Sequence, residues 1–553
     1  MRAAVGSLIG PAVAVLAMIT ALNAALRRRK PRWAFSAGEL MTVYLVIATS
    51  MGISGSLWNW GGALAASIAY PIWEAGPGNR WAEIMWPNLP PGLMVTSRDA
   101  LQGFFLGSST PYNLEVLRAW ATPVFWWTAW VTATLWVMMC FSVIIRRRWS
   151  REEQLPFPMT MVPLHVTDPE ERLFHSPLWW IGVCVAVGVS VPSIIAIFVP
   201  AFPTISTSVD ITNFLNNNKP WDAIRTTSLE WGPWAIGLSY LMPLDLAFSL
   251  LIFNLFWRAE YVFARIGGWM TSPWGEAPYG DQQVIGAYLA VVGSVLWLDR
   301  HYLAQVVRKA AGLASRADDN EESFSYRLAV LGGLAGIGFL WWFYARGGMD
   351  IYAAGAFLTI PFIMFIAMIR MRAYIGPPAH WMYGTMPEFA LTQFPGTGAI
   401  SPRALGMIAM LRPFQYEQDS NPIPLQLEGL RMAERGAMDT RRLAWIMIAA
   451  VPLIMVSYFW ASLHIGYNFG LGAKVHPNMT FICRQGTDKL DAWLREPGRP
   501  NPIGAASIGI GCAVTLLLMG LKVRFPLWPL HPLAFPLAFS WTIDSMIPAV
   551  FIS

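Results

Sequence analysis

One carboxylate inside an apolar run is the side chain best placed to do chemistry in this sequence. Asp245 lies in Trp231–Phe256, among Leu, Ala and Phe. A lone charge in hydrocarbon costs at least about 2.5 kcal/mol on insertion scales, so such a group faces a cavity or a partner. Pro243 lacks an N–H and frees the carbonyl of Ser239, four residues earlier. Ser249 falls one helical turn beyond Asp245, on the same face. Asp245, Ser249, Ser239 and Tyr240 together could bind a cation, a proton or a polar solute. The expectation is that Asp245 lines an internal polar cavity and takes part in ion coupling. A structural hydrogen bond, or an arginine partner on another helix, is the alternative.

Two further stretches combine polar or aromatic groups with broken backbone. Glu39–Tyr70 is too long for one untilted span of about 20 residues. Within it stand Gly52, Ser54, Gly55, Ser56, Trp58, Asn59, Trp60, Gly61 and Gly62. An unwound helix there would bind solute through Ser54, Ser56 and Asn59, with Trp58 and Trp60 stacking on it. Small-residue helix packing and an interfacial Trp pair would explain the same residues. The other stretch, Leu155–Val166, follows Arg146-Arg147-Arg148 and opens with Leu155-Pro156-Phe157-Pro158. Pro156, Pro158 and Pro163 exclude a regular helix, while Leu155, Phe157, Met159 and Leu164 resist hydration. The segment is expected to enter the membrane layer without spanning it. Broken backbone at that depth is tolerated only when buried in protein or lining a cavity.

The remaining polar residues carry less. Glu39 complements a helix dipole. His464, His531 and Asp544 have structural roles. Gly332 and Gly336 mark helix packing. The four cysteines form neither a disulfide framework nor a metal cluster. The sequence contains no GxxxxGK[ST], HExxH, CxxC or GxSxG pattern. No cofactor, metal or catalytic residue is expected.

The elements that position these groups are membrane helices. The chain has 553 residues, 55% hydrophobic and 13% charged, against about 25% charged in soluble domains. The net charge of +6 gathers at helix ends, which marks topology and not nucleic-acid binding. Spans are expected at Gly6–Leu26, within Glu39–Tyr70, and at Ala119–Ile145, Leu178–Val199, Trp231–Phe256, Leu328–Tyr344, Ile351–Ile369, Leu443–His464, Ile503–Leu521 and Leu530–Ile552. Val284–Leu298 is short, so 259–298 either re-enters or crosses twice. Basic clusters place 27–32, 146–151, 300–327, 370–442 and 522–524 inside. The reading is an all-α polytopic bundle of eleven or twelve membrane segments in one integral membrane domain, 1–553. Outer loops are expected at 71–118, 200–230 and 466–502, and a polar cytoplasmic region at 371–442, including an amphipathic helix over Pro424–Arg435. The apolar end at Phe551-Ile552-Ser553 leaves the completeness of the termini open.

Glu153-Gln154-Leu155-Pro156-Phe157-Pro158, just after a basic helix end, resembles the Leu-Pro-Phe-Pro segment of oligopeptide and metal–chelate transporters. With Arg147–Val166, Tyr240–Ser249, Pro424–Glu434 and His531–Trp541, the pattern is closer to an uncharacterised bacterial membrane family related to that superfamily. The resemblance implies a secondary transporter of the bacterial inner membrane, ion- or proton-coupled, with inward-folding segments that include Pro156, Phe157 and Pro158. Its partners would be the bilayer and a small-molecule substrate (a polar solute, peptide or metal chelate), with a homodimer open to it. The site would lie near the midplane, between the broken 39–70 helix, the 156–166 segment and Asp245. Two rivals stand beside this reading: a membrane enzyme acting on cell-envelope or lipid-linked substrates, and a non-catalytic subunit of a membrane complex. An enzyme would cluster acids or His in the outer loops. Glu74, Glu83, Asp99 and Glu115 are instead scattered among Pro and Trp, which favours transport.

Overall fold

The computed structural model describes residues 10–54, 63–168, 176–211, 214–215, 217–224, 228–270, 277–376, 387–416, 421–436, 438–472 and 478–553. In chain order its helices are α1 (Gly10–Arg29), α2 (Ala37–Ser54), α3 (Arg98–Leu106), α4 (Leu114–Arg147), α5 (Met161–Thr167), α6 (Pro177–Phe198), α7 (Pro233–Tyr240), α8 (Leu244–Ile266) and α9 (Gly280–Leu298). They continue as α10 (Arg300–Ala310), α11 (Tyr326–Arg346), α12 (Ile351–Ile375), α13 (Pro387–Gln393), α14 (Pro402–Met410), α15 (Ile423–Arg435), α16 (Thr440–Phe469), α17 (Asn478–Arg495), α18 (Pro502–Arg524) and α19 (Trp541–Ile552). Single helical turns stand between 64 and 88 and at 413–416. One antiparallel strand pair joins β1 (Ser208–Asp210) to β2 (Ser228–Glu230). Among the described residues, ten helices are long and apolar enough to cross a membrane, and Leu64–Trp73 and Thr542–Ile552 are shorter apolar stretches. The molecule is an all-α, multi-pass bundle.

Two hydrophobic cores share α12. The larger joins Leu16, Tyr44, Trp127, Phe357, Leu430 and Met455. The other joins Leu246, Leu250, Tyr288, Met368, Ile508 and Phe535. α6 stands at the periphery with no buried residue.

Two expectations are corrected here. The 259–298 region holds the last turns of α8 and the whole of α9, which reaches full length because the polar turn Gly280–Gln283 begins it before its apolar run. Residues 371–442 do not stand apart as a polar region. Ten residues of α15 are buried, and α14 packs on α17 and the turn at Trp86–Asn88. Charge density suggested solvation; Arg403, Arg435, Arg441 and Arg442 are indeed exposed, but Arg372 and Arg412 are buried and paired. The Arg372 guanidinium donates to both oxygens of Glu428, at 2.6 and 3.0 Å.

The basic end of α4 is a knot of ion pairs. Arg146 meets Glu322 at 2.8 Å, both 2% exposed. Arg148 meets Asp299 at 2.7 Å, and Trp149 donates to the same carboxylate. Arg370 reaches Glu153 at 2.7 Å. Glu434 of α15 accepts from Arg151, Ser150 and Arg431 at 2.6–3.0 Å. Burial alone would raise the Glu434 carboxyl. The hydrogen bonds from Arg151, Ser150 and Arg431 outweigh it and hold the group at about 2. The Leu155–Val166 segment leaves this knot as a 3₁₀ turn followed by α5, buried against α1 and α2. It is neither an exposed loop nor a continuous spanning helix.

α9 and α18 run parallel at very close approach. A Cβ on Gly511 would overlap the Gln283 carbonyl oxygen, and one on Gly286 the Ile508 carbonyl oxygen. Farther along, Ser294 lies 3.4 Å from Met519.

Two outcomes follow from this packing. Gly511→Val forces the backbones apart and should cost roughly 1–3 kcal/mol or more. Gly509→Val, whose Cβ meets nothing within 4 Å, should be near neutral. Thermal unfolding in detergent compares the two, and equal melting temperatures would contradict the close contact. The second outcome concerns acid. Glu434 has a depressed folded pKa, so its contribution to stability is present above the unfolded value of 4.5 and lost as pH falls toward 2. Glu434→Gln should be less stable at neutral pH and lose less on acidification, as read by melting temperature against pH.

Candidate functional site

Asp245 does not line an internal cavity. The run Trp231–Phe256 breaks at 241–243, and Pro243 caps α8 instead of kinking a longer helix. Asp245 therefore sits in the first turn of α8. Its side chain is 41% exposed and 3.0 Å from Lys522 Nζ. Because α9 and α18 run parallel, Lys522 and Asp245 lie at the end of the bundle where Leu298 and the Arg148–Asp299 pair are found. Burial pushes the nearby His531 imidazole down to about 4, so it is neutral near pH 7. Its ring stacks on Tyr374 at 5.6 Å. The counter-charge of Asp245 is Lys522.

Ser249 stands one turn beyond Asp245 and donates its hydroxyl to the Asp245 carbonyl at 2.5 Å, while Ser239 and Tyr240 lie on the preceding helix α7. Tyr240 is 78% exposed. Ser239 is buried, and its hydroxyl has no hydrogen-bond partner. Ser249 is buried; it accepts from the His531 N–H at 2.7 Å, and its hydroxyl lies 3.1 Å from the Pro529 carbonyl. It clamps the 529–531 turn. The side chain of Ser54, and all of Ser56, Trp58, Asn59 and Trp60, lie outside the described residues. Pro156 is exposed and Phe157 is buried. Phe157 adopts φ +48° and donates its N–H to Ala373 at 3.0 Å. The Pro158 ring lies where a Cβ on Gly376 would fall. The 156–158 turn thus fastens the end of α12 through Phe157 and Pro158, with Pro156 exposed.

A different place brings chemistry together. Trp130 and Thr134 from the middle of α4, Tyr344 from α11, and Phe357, Pro361, Phe362 and Phe365 from α12 face Leu411, Phe414 and Gln415. They line a small, partly open cavity with room for a water molecule. The Phe414 and Trp130 rings lie 4.5 Å apart, and Trp130 Nε1 donates to the Tyr344 hydroxyl at 3.3 Å. Gln415 is 5% exposed, and among the described residues neither its amide oxygen nor its nitrogen has a hydrogen-bond partner. Leaving a buried polar group unsatisfied costs about 1–3 kcal/mol.

A buried ion cluster adjoins the cavity. The Gln415 N–H donates to the Arg412 carbonyl at 2.9 Å, which holds both side chains on one turn. Arg412 pairs with Glu388 of α13 and donates to Gln485 Oε1 at 3.1 Å. Lys489 of α17 reaches the same Glu388 oxygen at 2.9 Å. Burial alone would raise the Glu388 carboxyl; Arg412 and Lys489 outweigh it and hold it below the usual carboxylate range. Sequence reasoning missed Glu388, Arg412, Gln415 and Lys489. The one local signal was the apolar run Ala404–Leu411 ending at Arg412-Pro413, too short to read as a span. Among the described residues, no group of three His, Cys, Asp or Glu stands together as a metal site.

Buried charge is the main hazard in such a bundle. Arg372→Met leaves Glu428 buried and unpaired, so it should destabilise by roughly 3–5 kcal/mol. Arg372→Met combined with Glu428→Met should recover most of that loss. Melting temperatures of the two variants in detergent check this; a double variant as unstable as the single one would contradict it.

A family model described as "Family of unknown function (DUF6785)" matches residues 1–553, so the chain belongs to that family. No curated protein matches the sequence.

Proposed function

We propose that this member of the DUF6785 family is a secondary transporter that moves a small polar organic solute through the cavity at Gln415. One observation carries the reading: a buried amide with both polar atoms unpartnered, in an aromatic-lined cavity at mid-helix. Its own segment, α14 and the 411–416 turn, is broken by Pro402 and Pro413. Non-helical backbone at membrane depth is tolerated where it lines a cavity, and discontinuous helices are where transporters bind their solutes. The two hydrophobic cores that share α12 supply two packed blocks, and relative rocking of such blocks is the usual route of alternating access. The likeness of Glu153–Pro158 to the Leu-Pro-Phe-Pro segment of oligopeptide and metal–chelate transporters supports the same reading. Ion or proton coupling and a bacterial inner membrane belong to this proposal.

The test is uptake into proteoliposomes from a labelled panel of amino acids, dipeptides, organic acids and metal chelates. At least one class should accumulate above protein-free vesicles. Gln415→Leu should lower its uptake on the order of 10-fold or more, since a lost buried hydrogen bond is worth about 1–3 kcal/mol. The same change should not lower the melting temperature, because it removes an unsatisfied amide. Accumulation of no class, or full uptake by Gln415→Leu, would contradict the proposal.

A further inference from the structure

We infer that Glu260 is a proton-binding site, whose buried carboxyl oxygen Oε2 takes up and releases the proton that drives solute movement. The site itself is built by α8 and α9; its coupling to the solute rests on the Gln415 cavity being a solute site.

The carboxylate stands at membrane depth. Glu260 lies six residues, about 9 Å, from the Ile266 end of α8. Its Oε1 accepts from Gln283 Nε2 of α9 at 2.7 Å. Gln283 is where α9 comes closest to α18, against Gly511. Gly511 is nine residues into α18, about 13 Å from its start at Pro502. Two helices thus place the pair well inside the span. Trp257 and Ala264 flank Glu260 on the same face of α8, and both are buried. The Trp257 ring packs on Phe539 at 4.8 Å.

No cation answers the charge at this depth. Glu260 Oε2 is buried and, among the described residues, has no hydrogen-bond partner. The neutral Gln283 amide is the one polar group among them that acts on Glu260. The nearby guanidinium groups serve other carboxylates. Arg258 stands two positions back, roughly 200° round the helix, and reaches Asp544 of α19 at 2.8 Å. Arg265 donates to both oxygens of Asp222, at 2.6 and 3.2 Å. Asp281, two residues before Gln283, acts on Lys489. The other titratable groups at this junction, Tyr261 and Tyr279, are phenols and supply no positive charge. A carboxyl group in such a place, with no cation beside it, avoids the charged form by holding a proton. The O–H bond forms at Oε2, the proton is drawn from water and returned to it, and no other reactant is needed.

The first turn of α9 also connects this site to the cavity. α13 packs against both α9 and α18. Its Glu388 is shared by Lys489 and Arg412, and the Arg412 turn carries Gln415. Release of the proton leaves a bare charge beside Gln283 and drives α8 and α9 to rearrange there. Through α13 that rearrangement reaches the cavity wall.

The test begins with infrared spectra of the purified full chain in detergent near neutral pH. The wild type should show the C=O stretch of a protonated carboxyl group that is missing from Glu260→Gln and that disappears on titration to alkaline pH. Asp245→Asn removes a carboxylate already paired with Lys522 and should remove no such band. Glu260→Gln should melt no lower than the wild type, because the amide has the shape and neutrality of the protonated acid. Dicyclohexylcarbodiimide, which modifies protonated carboxyl groups in apolar surroundings, gives the same reading without a variant. Mass spectrometry of the wild type should find Glu260 modified near neutral pH and spared at alkaline pH. An unchanged acid band in Glu260→Gln, a large fall in its melting temperature, or Glu260 spared at neutral pH would overturn the inference. Suppression of the modification by sodium at constant pH would overturn it in favour of a metal cation. In proteoliposomes an inward proton gradient should raise solute accumulation by the wild type and not by Glu260→Gln; an equal response would overturn the coupling. The acid band at Glu260 without uptake of any solute class would support the proton site and sink the transport reading.

Discussion

An ionised side chain removed from water must find its counter-charge within the protein or not be there at all. This bundle buries Arg146, Arg372 and Arg412, and Glu322, Glu428 and Glu388 answer them. Each pair joins elements far apart in sequence, and together they determine where the broken segments run. The knot at the end of α4 ties α4, α12, α15 and the turns before α10 and α11 into one end of the molecule. Arg372–Glu428 then seats α15 against α12, and Arg412–Glu388 seats the 411–416 turn against α13. Apolar burial of α14 and α15 draws these helices inward, and the pairs answer the charges they carry with them.

The cavity follows from that constraint. Pro402 and Pro413 begin helices and prevent one continuous span. The 411–416 turn is held by charge at Arg412, with Phe414 and Gln415 facing α4 and α12. The same turn carries both the charge cluster and the cavity wall. A change of partner at Arg412 would therefore act directly on the wall. A small rearrangement can have a large consequence in this way, because packed interiors shift between discrete arrangements and do not deform smoothly.

Much of the bundle was legible in the sequence. Apolar runs closed by arginine clusters mark the long helices, since length and hydropathy alone decide what can span. Leu155–Val166 was legible as a buried, broken segment, because three prolines in an apolar stretch allow little else. The site was not. Pro243 reads equally well as a kink within a helix and as the cap that starts one, and only the packed structure separates the two. That choice moved Asp245 from a supposed cavity to an ion pair with Lys522 at a helix start. The arginines of 371–442 misled for a different reason. A solvated charge and a paired buried charge look identical in sequence, and the partners stand far off: Arg372 and Glu428 are 56 residues apart, Lys489 and Glu388 are 101.

The central claim is that the cavity beside Gln415 opens to each side of the membrane in turn. A cysteine at Thr134, in a chain whose four native cysteines have been replaced, tests it directly. In proteoliposomes a membrane-impermeant maleimide would be applied from one side and then from the other. The account predicts labelling from both sides, slowed by a solute that fills the cavity. Labelling from one side only, or from neither, would contradict it.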